Sequence, residues 1–359
     1  MIPRANIISA SAVFPSNPRS SGAASRWGDF GRLPAAARGS AFRPHAPRLT
    51  APDYREVLEI EGFRIEIAET KGFRRDQEDA FFVGRFAPAA PLGRRAALTE
   101  AFRSTERITR GNYCGSTCTV AVVGCDRLLT LAHLGDSPAL LFVLDGVTGD
   151  VYFKSLLTPH NTLEPAEKQR VETCHEVHCL SLESSPVSDP DTAREWRELA
   201  DVTRLGRISI PNGGSLAVSR AFGDRDYDWA LARRPDITEI DLAGLLPGLH
   251  VNDRVFLCVA CDGLTELPSR NLDNAHLWLA DSLRRTLQNQ DAEHLAEHLI
   301  AHAYQHSTDN ITAMLTEIPN APLPGGGAVV MGVADGHGGA KTAWQVAENM
   351  RRVLLGDVG

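Results

Sequence analysis

The sequence predicts an α+β fold rich in antiparallel strands, and three observations lead to it. Apolar runs of strand length outnumber helical stretches along the chain. Several neighbouring runs are separated only by brief turn sequences, which suit hairpins and not the long crossovers of a parallel sheet. A chain of 359 residues with 43% hydrophobic content also has ample apolar surface for one large core plus an appendage.

Residues 1 to about 50 stand apart from the rest. They carry Arg4, Arg19, Arg26, Arg32, Arg38, Arg43 and Arg48 against a single acid, Asp29. Pro, Ser, Ala and Gly dominate and no apolar periodicity persists, so disorder is expected. This makeup suits an organelle transit peptide, the export signal of a secreted bacterial effector, or a plain flexible arm. From residue 51 to 359 a single folded domain is expected.

Val57 to Ala68 alternates with period 2, as a half-buried strand does, and Ala80 to Val83 is a second strand. Arg94 to Arg110 reads as a helix with Leu98, Phe102, Thr105 and Ile108 near one face. Thr117 to Val123, Leu128 to Leu134 and Ala139 to Leu144 are strand-like, and Glu164 to Val171 begins another helix. Residues 181 to 200 are polar, contain Pro186 and Pro190, and read as an irregular surface insertion. Val255 to Ala260 and Ile311 to Ile318 are strands, and between them Asp273 to His302 is helical. Pro319 to Gly327 is a linker by composition. Beyond it lie a strand, Ala328 to Ala334, and a helix, Ala340 to Leu355.

Composition narrows the function. A net charge of −8 without a long Lys/Arg run argues against a nucleic-acid partner. No apolar stretch approaches the roughly 20 residues of a membrane span. Seven cysteines form no disulfide framework, and the odd count fits a cytoplasmic or other reducing compartment. Cys258 and Cys261 lie inside an apolar run and read as small buried hydrophobes, not a redox pair. Cys174, His175, His178 and Cys179 look like a zinc cluster, but their spacing matches no standard finger and a solvated loop is the simpler reading. His294, His298 and His302 recur every four residues on the expected helix and read as a solvated face.

The chemistry lies in carboxylates at the ends of apolar strands, each beside a glycine or other small residue. They are Glu78-Asp79, Asp136, Asp262-Gly263, Asp309-Asn310 and Asp335-Gly336. Carboxylates grouped without Cys or His select hard cations, Mg²⁺ or Mn²⁺. Each Asp-Gly alone is ordinary turn chemistry; their order and surroundings say more. Gly72-Phe73-Arg74-Arg75-Asp76-Gln77-Glu78-Asp79, Gly115-Ser116-Thr117 and Leu134-Gly135-Asp136-Ser137 run in succession. Gly214-Ser215-Leu216-Ala217-Val218-Ser219-Arg220-Ala221-Phe222-Gly223-Asp224 follows, then Ala260-Cys261-Asp262-Gly263-Leu264 and Thr308-Asp309-Asn310-Ile311-Thr312. Last comes Asp335-Gly336-His337-Gly338-Gly339. Over residues 56 to 359 this series resembles the motifs of the type 2C metal-dependent protein Ser/Thr phosphatases, the PPM family.

The resemblance implies a β-sandwich of two mainly antiparallel sheets flanked by helices, in α-β-β-α layers. It implies two Mg²⁺ or Mn²⁺ ions at one end of the sandwich and hydrolysis of phosphoserine or phosphothreonine in proteins by metal-bound hydroxide. By position, Asp335 would bridge both ions, the Gly336 carbonyl would ligate one, and Asp262 and Asp309 would ligate the other. Glu78 and Asp79 would hold metal-bound waters, Arg74 would bind the phosphate and His337 would protonate the leaving alkoxide. Arginine's planar fork suits phosphate, and a histidine titrating near neutrality suits a poor leaving group.

Two departures stand out. The family places its Asp-Gly-His-Gly-Gly strand and helix soon after the Glu-Asp strand; here the segment comes after the linker, at 328 to 356, a permuted connectivity. A monomer with the segment folded back into its own sheet is expected, a domain-swapped dimer being the alternative. Pro159 stands immediately before His160 where the family commonly has an aspartate, which puts a third metal site in doubt. These departures keep a second function in view, a catalytically inactive phosphatase-like binding module. The stretch from about 172 to 210 is expected to act as a flap that influences substrate choice.

Overall fold

Strands that are apolar on both faces must be covered twice, and that requirement organises the molecule. The structure, a computed structural model, describes residues 27, 29–33, 51–88, 92–185, 187–199, 201–211, 213–266, 272–288 and 294–356. The first strands are the short β1 (Gly31–Leu33), then β2 (Tyr54–Ile60), β3 (Phe63–Thr70), β4 (Ala80–Arg85), and, after the short β5 (Gly115–Ser116), β6 (Cys118–Gly124), β7 (Leu128–Leu134), β8 (Ala139–Leu144) and β9 (Val151–Ser155). Three two-residue strands follow, β10 (Ile208–Ser209), β11 (Ser215–Leu216) and β12 (Phe222–Gly223). The series ends with β13 (Asp236–Asp241), β14 (Arg254–Ala260), β15 (Ile311–Ile318), β16 (Ala328–Ala334) and β17 (Gly336–His337). The helices are α1 (Arg94–Thr109), α2 (Pro165–Ser184), α3 (Pro190–Glu198), α4 (Leu242–Leu245), α5 (Leu272–Gln288), α6 (Leu295–Ala303) and α7 (Lys341–Leu354).

Two sheets stack face to face. One has the order β1-β9-β8-β14-β15-β3-β2 and the other β13-β7-β6-β16-β4. Every pairing within them is antiparallel. Alternate residues of the central strands enter different cores. Val329, Met331 and Val333 of β16 face the inter-sheet core with Val255, Leu257 and Val259 of β14. Ala328, Val330 and Ala334 face the opposite way, against Leu98, Phe102, Val346 and Met350 of α1 and α7. On the far sheet Phe256, Cys258 and Ala260 meet Leu283, Leu295 and Leu299 of α5 and α6. The result is a four-layer α-β-β-α sandwich, the class the sequence predicted. Among the described residues no helix is long and apolar enough to cross a membrane.

Strand β16 lies between β4 and β6, with Met331 opposite Val83 on one side and Ala121 on the other. The segment before it, expected to be a flexible linker, is fastened along its length. Asn320 Nδ2 donates to the carbonyls of His250 and Asp253 at 3.2 and 2.7 Å, Leu323 N to Cys125 O at 3.0 Å, and Cys125 N to Gly327 O at 2.9 Å. Helix α7 is registered on the rest of the molecule by buried amides. Asn349 Nδ2 donates to Ser104 and Thr105 of α1 at 2.8 Å each, and Asn112 Nδ2 donates to Thr342 and Gln345 at 3.0 and 2.7 Å.

Several expectations are corrected. Val57 to Ala68 is not one strand but a hairpin turning at Glu61-Gly62, both in the left-handed region with φ of 53° and 80°. Within the N-terminal segment expected to be disordered, β1 pairs with β9, Arg32 bonds Asp150 at 2.7 Å, and Trp27 packs into the core at 2% exposure; most of residues 1–50 lies outside the described residues. Residues 181 to 200 are largely helical, at the end of α2 and in α3. The region 273 to 302 forms two helices, so His294 precedes α6, while His302 is packed edge-on against Trp278 at 3.6 Å instead of facing solvent.

Candidate active site

The site forms where strands of both sheets end together. β4 begins after Asp79, β14 ends before Asp262, β15 begins after Asp309-Asn310, and β16 ends before Asp335. Asp335 adjoins Asp79 and Asp262. Asp79 is 2% exposed and accepts from Thr312 Oγ1 at 2.7 Å. Burial pushes its carboxyl up to about 6, and Asp309 adds to the shift. Burial likewise pushes Asp335 and Asp262 well above the usual carboxylate range. Asp262, Asp79, Asp136 and Asp309 reinforce the effect at Asp335, and Asp136 and Asp309 do so at Asp262. Asp136 is raised by burial too, against the pull of His337, His160 and Arg207.

Carboxylates from five chain segments thus converge on one place, where burial raises the proton affinity of Asp79, Asp136, Asp262 and Asp335, a charge imbalance that divalent cations relieve. The donor set is all oxygen, which suits Mg²⁺ or Mn²⁺. Among the described residues no three of these side chains already stand in ligating geometry, so a bound cation would have to draw them in. Gly336 lets this convergence happen, because a Cβ there would overlap the backbone carbonyl of Glu78.

Asn310 secures the loop that carries Arg74 and Glu78. Its Nδ2 donates to the carbonyls of Lys71 and Asp76 at 2.9 and 3.1 Å, and its Oδ1 accepts from Glu78 N at 2.9 Å. The Arg74 guanidinium is exposed and bonds Asp309 at 2.5 Å, so it reaches the carboxylate centre from the solvent side.

The small sheet β12-β5-β17 positions His337. It sets His337 opposite Gly115 and Gly223 opposite the same Gly115. Asp224, held with φ of 52°, thereby meets His337, and their Oδ2 and Nε2 lie 2.6 Å apart. A Cβ at Gly115 would overlap both side chains, so this pair depends on the glycine. The sequence contained Asp224 within its longest motif but gave no sign that it partners a histidine 113 positions away.

His160 is occupied on both ring nitrogens. Nδ1 accepts from Gly135 N at 3.1 Å and Nε2 bonds Asp236 at 3.2 Å, while the ring stacks on His133 at 4.1 Å. With Pro159 beside it offering no ligating side chain, this corner holds the Gly135-Asp136 turn in place.

Helix α2, whose later turns run into the stretch 172 to 210, is tied to the segment 219–220 through Glu167, which is 7% exposed. Arg220 donates to its Oε1 from Nε and Nη2 at 3.0 and 2.7 Å; Ser219 and Arg170 donate to its Oε2 at 2.6 and 2.9 Å. Burial alone would raise this carboxyl, but the bonds from Arg220, Ser219 and Arg170 outweigh it and hold the group at about 2. A depressed carboxyl contributes stability above its unfolded pKa of about 4.5 and loses it as pH falls toward 2. Glu167→Gln is therefore expected to lower stability by about 3 kcal/mol at pH 7. The deficit should shrink to near zero by about pH 2, read by urea unfolding across that range. The zinc-like residues are on α2 and form an aromatic cluster instead. His178 stacks on Trp229 at 5.6 Å, His175 Nε2 bonds Trp196 O at 3.0 Å, and Cys179 is buried.

The sequence profile of the family described as protein phosphatase 2C matches residues 89–311. Among curated proteins, a probable protein phosphatase 1N of Mus musculus is 31% identical over 245 residues, covering 66% of this chain and 50% of that protein. The Homo sapiens protein of the same name is 28% identical over 244 residues, covering 66% of this chain and 47% of its own length. The chain spans about half the length of these relatives. Among solved structures, a phosphatase from a pathogenic strain of Toxoplasma gondii aligns at 18% identity with a TM-score of 0.48, over 76% of this chain and 98% of that one.

Proposed function

The chain belongs to the protein phosphatase 2C family, and on that premise we propose that it hydrolyses phosphoserine and phosphothreonine in proteins at a binuclear Mg²⁺ or Mn²⁺ centre. The observation that carries this reading is the gathering of Asp79, Asp262, Asp309 and Asp335 around the end of the sandwich, with Asp79, Asp262 and Asp335 buried and raised in proton affinity. In this reading Asp335, the Gly336 carbonyl, Asp262 and Asp309 would hold the two ions, and Glu78 and Asp79 would hold metal-bound waters. When bound, the ions make a water acidic enough to attack at neutral pH and neutralise charge building on the phosphoryl oxygens.

The remaining work falls to this chain's own side chains. Arg74 turns from Asp309 to the incoming phosphate, where its fork pairs two oxygens. His337 gives a proton to the departing serine or threonine oxygen. Asp224 occupies Nε2 of the ring, so Nδ1 is the nitrogen that can face the substrate, and the carboxylate holds the ring in that orientation. We read the C-terminal strand and helix as the family's Asp-Gly-His-Gly-Gly segment transposed to the end of the chain, a reading supported by the place of β16 between β4 and β6. No third ion is proposed, since Pro159 has no donor and both nitrogens of His160 are engaged.

The test is hydrolysis of p-nitrophenyl phosphate and a phosphothreonine peptide with and without Mn²⁺, comparing wild type with Asp262→Ala. Metal-dependent turnover that Asp262→Ala lowers at least about 100-fold is expected. No wild-type turnover above the variant under Mn²⁺ or Mg²⁺ would leave the inactive binding module as the better reading.

A further inference from the structure

We infer that Tyr113 and Arg225 form a subsite that reads an acidic side chain one or two residues from the phosphorylated serine or threonine. The inference rests on the phosphatase reading above. Tyr113 stands two residues before Gly115 and Arg225 directly follows Asp224, and these are the two positions that hold His337. With consecutive Cα atoms about 3.8 Å apart, both side chains spring from backbone within about 8 Å of those positions. Backbone bonds fix the pair: Arg225 N donates to Asn112 O at 3.0 Å and Asp224 N to Cys114 O at 3.3 Å.

The two side chains are built for recognition and not for packing. Tyr113 is 69% exposed, a large aromatic ring left on the surface beside the reaction centre. The Arg225 guanidinium lies 5.3 Å from the ring centroid, and its Nη1 donates to the tyrosine hydroxyl at 3.3 Å. Among the described residues Arg225 makes no ion pair. Stacking holds the planar fork in a set orientation while, among the described residues, no carboxylate is bonded to it, which leaves the fork able to bind a carboxylate from elsewhere. A peptide whose phosphate meets Arg74 and whose leaving oxygen faces His337 must pass its backbone along this rim. Its next two side chains begin about 3.8 and 7 Å further on, within an arginine's reach.

The experiment compares kcat/KM for phosphothreonine peptides flanked by Glu, Ala or Lys, with p-nitrophenyl phosphate, which has no flank, reporting the reaction machinery separately. Wild type is expected to favour the Glu peptide over the Ala peptide by about 5- to 10-fold. Arg225→Ala should bring that ratio to within about twofold of unity, and Tyr113→Ala should lower it partway. Arg225→Glu should turn the preference toward the Lys peptide, an inversion that misfolding cannot produce. An unchanged Glu-to-Ala ratio in Arg225→Ala, or no Glu preference in wild type, overturns the subsite. If wild type turns over none of the substrates, the phosphatase reading is what fails. Fluorescence anisotropy with the same labelled peptides then decides the subsite, a Glu preference lost in Arg225→Ala upholding it and its absence in wild type overturning it.

Discussion

Asp335→Asn is expected to lower Mn²⁺-dependent phosphatase activity by at least about 100-fold and, in chelator, to raise the melting temperature of the same protein. The first effect follows from removing the carboxylate proposed to bridge two ions. The second follows from the crowding around it. Asp335 is pushed up by burial and then by Asp262, Asp79, Asp136 and Asp309, so its charged form is unfavourable without a cation. A carboxyl raised on folding contributes stability at low pH and loses it as pH rises through the raised value. For Asp79 the window opens near the unfolded value of about 3.9 and closes at about 6; Asp262 and Asp335 extend it upward. Chelated wild type should therefore melt progressively lower from about pH 4 through pH 6 and beyond, and Mn²⁺ should reverse the loss. Each pK unit of such a shift is worth about 1.4 kcal/mol. At pH 7.5 the chelated variant should consequently melt a few degrees above wild type. Differential scanning fluorimetry with EDTA and with Mn²⁺ reads both arms. A variant that melts below wild type in EDTA would make Asp335 a structural hydrogen-bonding residue and not a member of a repelling cluster.

The next largest effect is expected at His337, and it should depend on the leaving group. A serine or threonine alkoxide needs a proton as it departs, whereas p-nitrophenolate leaves unaided. His337→Gln is accordingly expected to reduce kcat on a phosphothreonine peptide by about 100-fold but on p-nitrophenyl phosphate by less than about 5-fold. Asp224→Asn keeps the ring in place but removes the carboxylate 2.6 Å from Nε2, so it should show the same pattern at roughly a tenth of the size. Equal losses on both substrates would assign His337 to metal or phosphate binding and not to proton transfer.

Some elements were legible because one constraint dominated them. β6, β14 and β16 are covered on both faces, so each shows as an uninterrupted apolar run whose bounds change little on folding. Others were hidden because their stability comes from neighbours. α2 buries little besides Glu167, Val171 and Cys179, so its sequence has no apolar stripe and its second half looked like a polar loop. What holds that hairpin together is an aromatic cluster, with Trp196 edge-on to Trp229 at 5.1 Å. β1 is only three residues long and exists as a strand because β9 offers it an edge.

The carboxylates of the candidate site could be found one at a time, since each closes an apolar run beside a small residue. The sequence by itself determined the antiparallel-rich α+β class, the strands that carry Asp79, Asp262, Asp309 and Asp335, and the choice of oxygen ligands over sulfur or nitrogen. Hydrophobic patterning and side-chain chemistry are local properties that the order of residues states directly. Only the tertiary structure decided that β16 enters the sheet between β4 and β6, that Asp224 meets His337, and that Arg225 lies over Tyr113. Those contacts join residues more than a hundred positions apart. They arise from strand register and shared burial across the whole sandwich, which no short stretch of sequence contains.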